Sequence, residues 1–145
     1  MFFQNEAQIP KSRFIKPRIE AEIAFVMKTK ISGKRTTKSE ILEATDYVCP
    51  ALEILDTRIK RRDPVTQQSR KIFDTIADNA ANAGIILGSQ THKIKDWDLR
   101  QVGCILKKNN EVEETGLGAG ILDDPITGIL WLIRRLSDYN KYLDE

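Results

Sequence analysis

Residues 19–27 read Ile-Glu-Ala-Glu-Ile-Ala-Phe-Val-Met, and this stretch sets the expected architecture. Its length and its β-branched and aromatic side chains are typical of a β-strand. Side chains alternate between the two faces of a strand, so Glu20 and Glu22 share one face while Ile23 and Phe25 share the other. The strand therefore presents two carboxylates on the same side.

A second strand is predicted at residues 51–55, where Ala-Leu-Glu-Ile-Leu places Glu53 among apolar neighbours. The capping box at residues 37–40 predicts a helix that ends before Pro50, and residues 57–71 predict a polar loop. A short alanine-rich helix or helical turn closed by Gly84 is expected over residues 74–84, followed by a strand at residues 85–87. A hairpin is predicted for residues 102–107 and 112–115, with Asn109 and Asn110 in its turn, and a last helix is capped by Asp124 and Pro125. This mixture predicts a single α+β domain over residues 1–145, with helices packed on a sheet.

The composition excludes several classes of protein. The 145 residues suffice for one ordinary domain, and 41% hydrophobic with 30% charged residues is typical of a globular chain rather than a disordered one. A formal net charge of +2 gives no general attraction to nucleic acid, and the longest apolar runs are too short to span a membrane. Because a secretory signal pattern is lacking, we expect a cytoplasmic protein with reduced thiols at Cys49 and Cys104.

Carboxylates are the main candidates for chemistry, since a single histidine, His92, disfavours a histidine-rich metal site. If the two glutamate-bearing strands are neighbours, Glu20, Glu22 and Glu53 form a three-carboxylate cluster. Three close carboxylates do not all stay ionised without a cation, and oxygen ligands favour Mg²⁺, Mn²⁺ or Ca²⁺ over zinc. The alternative is that Glu20 and Glu22 face solvent while Glu53 pairs with an arginine.

Several separated segments carry a family resemblance. They are residues 17–26 (Pro-Arg-Ile-Glu-Ala-Glu-Ile-Ala-Phe-Val), 50–56 (Pro-Ala-Leu-Glu-Ile-Leu-Asp), 73–80 (Phe-Asp-Thr-Ile-Ala-Asp-Asn-Ala) and 116–122 (Gly-Leu-Gly-Ala-Gly-Ile-Leu). Together they resemble the fumarylacetoacetate hydrolase superfamily, and more narrowly its hydratase branch. The resemblance extends over essentially the whole chain.

The resemblance implies a fold, a cofactor and a reaction. The fold is the mixed β-sheet roll of the fumarylacetoacetase C-terminal type, of which this chain is expected to be a central portion truncated at both ends. Glu20, Glu22 and Glu53 match the family's Mg²⁺ ligands, with Mn²⁺ as an alternative ion. The small-molecule substrate is 2-oxo-hept-4-ene-1,7-dioate or a similar 2-oxo dicarboxylate, which chelates the metal and accepts water at C4 after its double bond moves into conjugation.

The resemblance also concerns partners and the proton-transfer group. The family's lysine belongs to a Lys-x-Gly segment that has no match in residues 1–145, so no catalytic residue is assigned. Relatives form oligomers, and we therefore expect a homo-oligomer that acts in aromatic-compound catabolism, without a nucleic-acid or membrane partner. A related decarboxylase or acylpyruvate hydrolase, and a non-catalytic metal-binding remnant or partner subunit, are the open alternatives.

Two further groups are candidates for substrate contacts. Asp78 and Asn79 lie within a matching segment and are expected to orient a ligand or a metal ligand, the alternative being an exposed helix-turn pair. Arg58 and Arg70 are expected to bind the distal carboxylate of a dicarboxylic substrate, the alternative being a solvated basic loop.

Overall fold

A computed structural model describes all residues, Met1–Glu145. The strands are β1 (Phe2–Phe3), β2 (Arg18–Met27), β3 (Thr45–Leu55), β4 (Asn82–Leu87), β5 (Gly103–Lys108) and β6 (Glu111–Leu117). The α-helices are α1 (Lys38–Ala44), α2 (Ile72–Ala77) and α3 (Pro125–Ser137), and short 3-10 turns lie at Lys11–Arg13, Asn79–Ala81, Ile94–Asp96, Leu99–Gln101 and Gly118–Gly120. The predicted mixture of helices and strands is confirmed.

The main sheet has four strands in the order β1-β4-β3-β2, and β5 pairs with β6 in a separate hairpin. Because β1 is parallel to β4 while β3 is antiparallel to it, the sheet is mixed. Strand β1 was not predicted, since a two-residue strand has no periodicity of its own. It packs closely on β4, where a Cβ atom added at Gly84 would collide with the Phe3 ring.

Strand β3 begins six residues earlier than predicted, at Thr45, and runs through Pro50. Proline lacks the N–H group that a central strand donates to its neighbour. The pairing of β3 with β4 begins only at Ala51, opposite Leu87, so no β4 partner stands opposite Pro50. The proline is therefore compatible with the strand. The predicted helix that ends just before Pro50 is wrong in its end, since α1 stops at Ala44 and residues 45–49 belong to β3.

The helix predicted over residues 74–84 is wrong in both bounds. Helix α2 ends at Ala77, and Asn79, Ala80 and Ala81 have positive φ values of 51°, 53° and 64°. This left-handed turn is costly for alanine, and the surrounding structure must stabilise it. Gly84 consequently lies inside β4 rather than at a helix end.

The backbone contacts divide the chain into two compact units. Unit 1 comprises Met1–Glu22 with Ala51–Ser89, and unit 2 comprises Ile23–Pro50 with Gln90–Glu145. The prediction of a single domain over residues 1–145 stays a prediction. Every candidate site residue named from the sequence lies within unit 1.

Unit 2 contains the best-buried apolar cluster of the chain. Ile41 of α1 and Ile133 of α3 are fully buried, and they pack with Ile31 and Ala44. Helix α1 begins with the predicted capping box, in which the Thr37 side chain accepts from the Glu40 N–H. The predicted hairpin and the predicted last helix are also confirmed. No helix of the chain is both long enough and apolar enough to span a membrane.

Candidate metal centre

Three carboxylates come together in unit 1. Glu20 and Glu22 lie on the same face of β2, two residues apart, and Glu53 lies in β3. One carboxylate oxygen from each lies within 4.8 Å of the other two, and Glu53 is half-buried whereas the two glutamates of β2 are exposed. The sequence prediction that these three side chains form a cluster is thus met in the structure.

The three carboxylates have no positively charged side chain to balance them. None of the ion pairs in the structure includes Glu20, Glu22 or Glu53. Partial burial raises the pKa of Glu22, and the neighbouring carboxylates of Glu53 and Glu20 raise it further. A set of oxygen donors that repel each other and lack a counterion suits a hard divalent cation such as Mg²⁺, Mn²⁺ or Ca²⁺. The expected alternative, an arginine partner for Glu53, is not found.

Glu53 is instead bound by an amide that the sequence analysis did not select. The side-chain Nδ2 of Asn82 donates to Glu53 Oε1 over 2.6 Å. Asn82 is the first residue of β4, and its signal in the sequence was only its place in the segment Asn79 to Gly84. The sequence alone could not identify Glu53 as its partner, because the register between β3 and β4 decides which side chains meet.

Asp78 and Arg58 bind each other. Arg58 donates from Nε to Asp78 Oδ1 over 2.6 Å and from its backbone N to Asp78 Oδ2 over 2.9 Å. These hydrogen bonds, first that from the Arg58 backbone N–H, hold the pKa of Asp78 below its usual range. Asp78 is buried, while the Arg58 side chain is 44% exposed. The carboxylate of Asp78 thus has a structural partner in this arrangement.

The other two candidate residues, Asn79 and Arg70, differ in exposure and in hydrogen bonding. Asn79 is exposed in the left-handed turn, at φ 51°. Arg70 is half-buried, and its guanidinium donates to Thr57 Oγ1 over 2.5 Å. Arg70 also lines a cavity of about 470 Å³ in the loop between β3 and α2, together with Lys60 and Lys71.

Asp56 is a second residue that sequence reasoning missed. It is buried directly after β3, and its carboxylate accepts the backbone N–H groups of Ile15 at 2.9 Å and Lys16 at 2.7 Å. These bonds fix the segment that leads into β2, and with it the start of the strand that carries Glu20. The sequence signal that could have identified Asp56 was its place as a polar residue at the end of an apolar strand.

Comparison with known proteins identifies relatives of this chain. No family model matches the chain. The chain is 47% identical over 144 residues to a 2-oxo-hept-4-ene-1,7-dioate hydratase of Escherichia coli, covering 99% of this chain and 54% of that protein. It is 38% identical to a 2-keto-4-pentenoate hydratase of Paraburkholderia xenovorans (strain LB400), covering 99% of this chain and 51% of that protein.

The chain is a homologue of these hydratases. The resemblance to the hydratase branch is confirmed, and the chain spans about half the length of the curated relatives it matches. Among solved structures it is similar to 4-oxalocrotonate decarboxylase from Pseudomonas putida G7 complexed with magnesium and adipate, with a TM-score of 0.80, 31% identity, and coverage of 92% of this chain and 48% of that chain. The same enzyme complexed with calcium and acetate gives a TM-score of 0.78 at 32% identity.

Proposed function

We propose that this chain carries the metal-binding part of a Mg²⁺-dependent hydratase that adds water to 2-oxo-hept-4-ene-1,7-dioate or a similar 2-oxo-alkenoate in aromatic-compound catabolism. The observation that carries the proposal is the uncompensated cluster of Glu20, Glu22 and Glu53. It occurs in a chain 47% identical to a hydratase of that substrate. The mixed sheet is proposed to form part of a roll of the fumarylacetoacetase C-terminal type.

Glu20, Glu22 and Glu53 would hold the divalent cation, Mg²⁺ in the first instance and Mn²⁺ as a substitute. Their oxygens lie within 4.8 Å of one another, and because the ligands of one Mg²⁺ are at most about 4.2 Å apart, the three side chains would draw slightly together to hold it. When bound, the cation acts as a Lewis acid toward the carboxylate and 2-oxo oxygens of the substrate. Support for a divalent ion comes from the related decarboxylase structures, which are complexed with magnesium and with calcium.

Further residues of unit 1 are proposed to bind and orient the substrate. The loop cavity is lined by three basic residues, Lys60, Arg70 and Lys71, and by two acidic ones, Asp63 and Asp74. Its proposed role is to bind the distal carboxylate of a dicarboxylate through Arg70. Arg58 and Asp78 bind each other, and their proposed contribution, with Asn79, is to fix the turn that leads into Asn82, the partner of Glu53. The proton-transfer residue is not assigned within residues 1–145.

A spectroscopic assay tests the proposed reaction. Purified chain is added with Mg²⁺ to a conjugated 2-oxo-dienoate, and loss of the ultraviolet band reports hydration. We expect turnover in wild type and in the exposed-site control Glu6→Gln, and none with EDTA or in Glu20→Gln. A full rate in Glu20→Gln, or in the presence of EDTA, would contradict the proposed role of the cluster. No turnover in a wild-type chain that still binds Mn²⁺ would instead favour the non-catalytic alternative.

Decarboxylation is the second candidate reaction. The observation that favours it is the likeness to 4-oxalocrotonate decarboxylase, at a TM-score of 0.80. The same metal-held 2-oxo acid chemistry would then break a C–C bond. Measurement of released CO₂ with 4-oxalocrotonate distinguishes the two, because a hydratase releases none.

The proposed setting is a cytoplasmic homo-oligomer. Strands β1 and β2 are the edges of the main sheet, and unpaired edges favour association with another chain. Light scattering coupled to gel filtration measures the oligomeric state. A monomer across the micromolar range would contradict this part of the proposal.

A further inference from the structure

Strand β4 contains an irregularity close to the carboxylate cluster. Glu53 pairs with Ile85 and Ile54 with Gly84, but the next residue, Leu55, pairs with Asn82. Ala83 is therefore an extra residue, and the strand has a β-bulge.

The bulge changes the face on which the Asn82 side chain lies. In an unbroken antiparallel register Asn82 would stand opposite residue 56, on the face opposite to that of Glu53. A shift of one residue places Asn82 opposite Leu55, whose side chain shares its face with Glu53. Asn82 thereby becomes a diagonal cross-strand neighbour of Glu53, which explains the 2.6 Å hydrogen bond between the two side chains.

Long-range hydrogen bonds hold the backbone that leads into Asn82. The Ala81 carbonyl accepts from the Asp56 N–H at 2.7 Å, and Arg58 donates to the carbonyls of Asp78 at 2.6 Å and Asn82 at 3.2 Å. These bonds stabilise three successive residues with positive φ, a conformation that the local sequence disfavours. The surrounding structure thus maintains a strained turn next to the candidate site, and this turn fixes the position of the Asn82 backbone.

We propose that Asn82 is a positioning residue for the metal centre, which fixes the carboxylate of Glu53 for a divalent cation through the bond from Nδ2 to Oε1. The inference rests on the proposed function and adds a residue to it. An amide donor occupies one oxygen of Glu53 and restricts rotation of the carboxylate, so that the remaining lone pairs face the cluster. Outer partners of this kind typically contribute 10- to 100-fold to metal affinity.

Metal affinity of the full chain tests the inference without any turnover. Asn82→Leu removes the donor while it keeps the number and branching of the side-chain heavy atoms, and Asn5→Leu makes the same change at an exposed asparagine of unit 1. By titration calorimetry with Mn²⁺ we expect wild type and Asn5→Leu to bind alike, and Asn82→Leu to bind about 10- to 100-fold more weakly. Asn82→Leu with wild-type affinity and a folded circular dichroism spectrum would overturn the inference.

A measurement on the wild-type chain covers the case in which Asn82→Leu does not fold. In a ¹⁵N-labelled sample, the Asn82 side-chain amide should shift on saturation with Mg²⁺, while the Asn5 amide should not. No shift of the Asn82 amide during binding would overturn the positioning role and leave the metal site standing. A wild-type chain that binds no Mn²⁺ would overturn both the metal site and the role of Asn82.

Discussion

The substitution Glu22→Gln should raise the free energy of unfolding of the metal-free protein. It should also abolish the stabilisation that Mg²⁺ gives to wild type. In EDTA at pH 8 the three carboxylates repel one another, and Glu22 takes part in two of the pairs. At 4.8 Å, the upper limit of the separations in the cluster, each pair costs about 0.9 kcal/mol in bulk water. The bulk-water value is a lower limit, because Glu53 is half-buried and Glu22 is partly desolvated. Screening at 0.15 M salt reduces each pair by about half, so Glu22→Gln should gain at least about 1 kcal/mol of unfolding free energy.

Thermal unfolding followed by circular dichroism measures this gain. For a chain of this size 1 kcal/mol corresponds to a rise of about 2–4 °C in Tm. With saturating Mg²⁺, wild type should instead be more stable than Glu22→Gln. The reason is that a Mg²⁺ concentration of 100 times Kd adds about 2.7 kcal/mol to the free energy of unfolding of wild type alone. Glu6→Gln controls for the loss of one negative charge elsewhere in unit 1. A Glu22→Gln variant that is less stable than wild type in EDTA, or that keeps the full Mg²⁺ response, would refute the reasoning.

Three further predictions concern stability. Hydrogen bonds hold the pKa of Asp78 below its ordinary 3.8, so this ionised group stabilises the fold above that pH. In urea titrations, the free energy of unfolding of wild type should therefore exceed that of Asp78→Asn above about pH 3.8 and approach it as the pH falls below that value. A difference between the two proteins that stays constant with pH would contradict this. Gly84→Ala should cost about 1–3 kcal/mol through its clash with the Phe3 ring, and Phe3→Ala should relieve part of that cost; strictly additive losses would contradict the clash. Ile133→Ala, at a fully buried site, should lower the free energy of unfolding by about 2–5 kcal/mol, against about 0.5–1.5 kcal/mol for Ile133→Val.

The elements that the sequence predicted well are those with local causes. Alternation over residues 19–27 identified β2, the capping box at Thr37 identified the start of α1, and Asn109 and Asn110 identified the hairpin turn. Both asparagines have positive φ, at 52° and 68°, as such a turn requires. Each signal depends on residues a few positions apart, so no knowledge of the tertiary structure was needed.

The elements that were missed have distant causes. The turn over Asn79–Ala81 is held by Asp56 and Arg58, more than twenty residues away, while the alanines alone favour a helix. Strand β1 exists only because Phe2–Phe3 lies beside β4. Tertiary hydrogen bonds overrode the local preference in the first case and created the element in the second.

The same distinction applies to the metal centre. Spacing alone placed Glu20 and Glu22 on one face of a strand, but bringing Glu53 to them depends on strand order. The strand pattern offered Glu53 only on the condition that the two strands are neighbours, and the family resemblance then selected it. It did not supply Asn82, because a bulge in β4 decides which face that side chain occupies.

Direct titration of the chain with Mn²⁺, followed by electron paramagnetic resonance, tests the central claim that three glutamates form a divalent-cation site. Wild type should bind one ion per chain, and Glu6→Gln should match it. Since loss of an outer partner alone costs 10- to 100-fold, Glu20→Gln, Glu22→Gln and Glu53→Gln should each lose more than about 100-fold in affinity. Equal Mn²⁺ affinity in wild type and in the three cluster variants would contradict the claim.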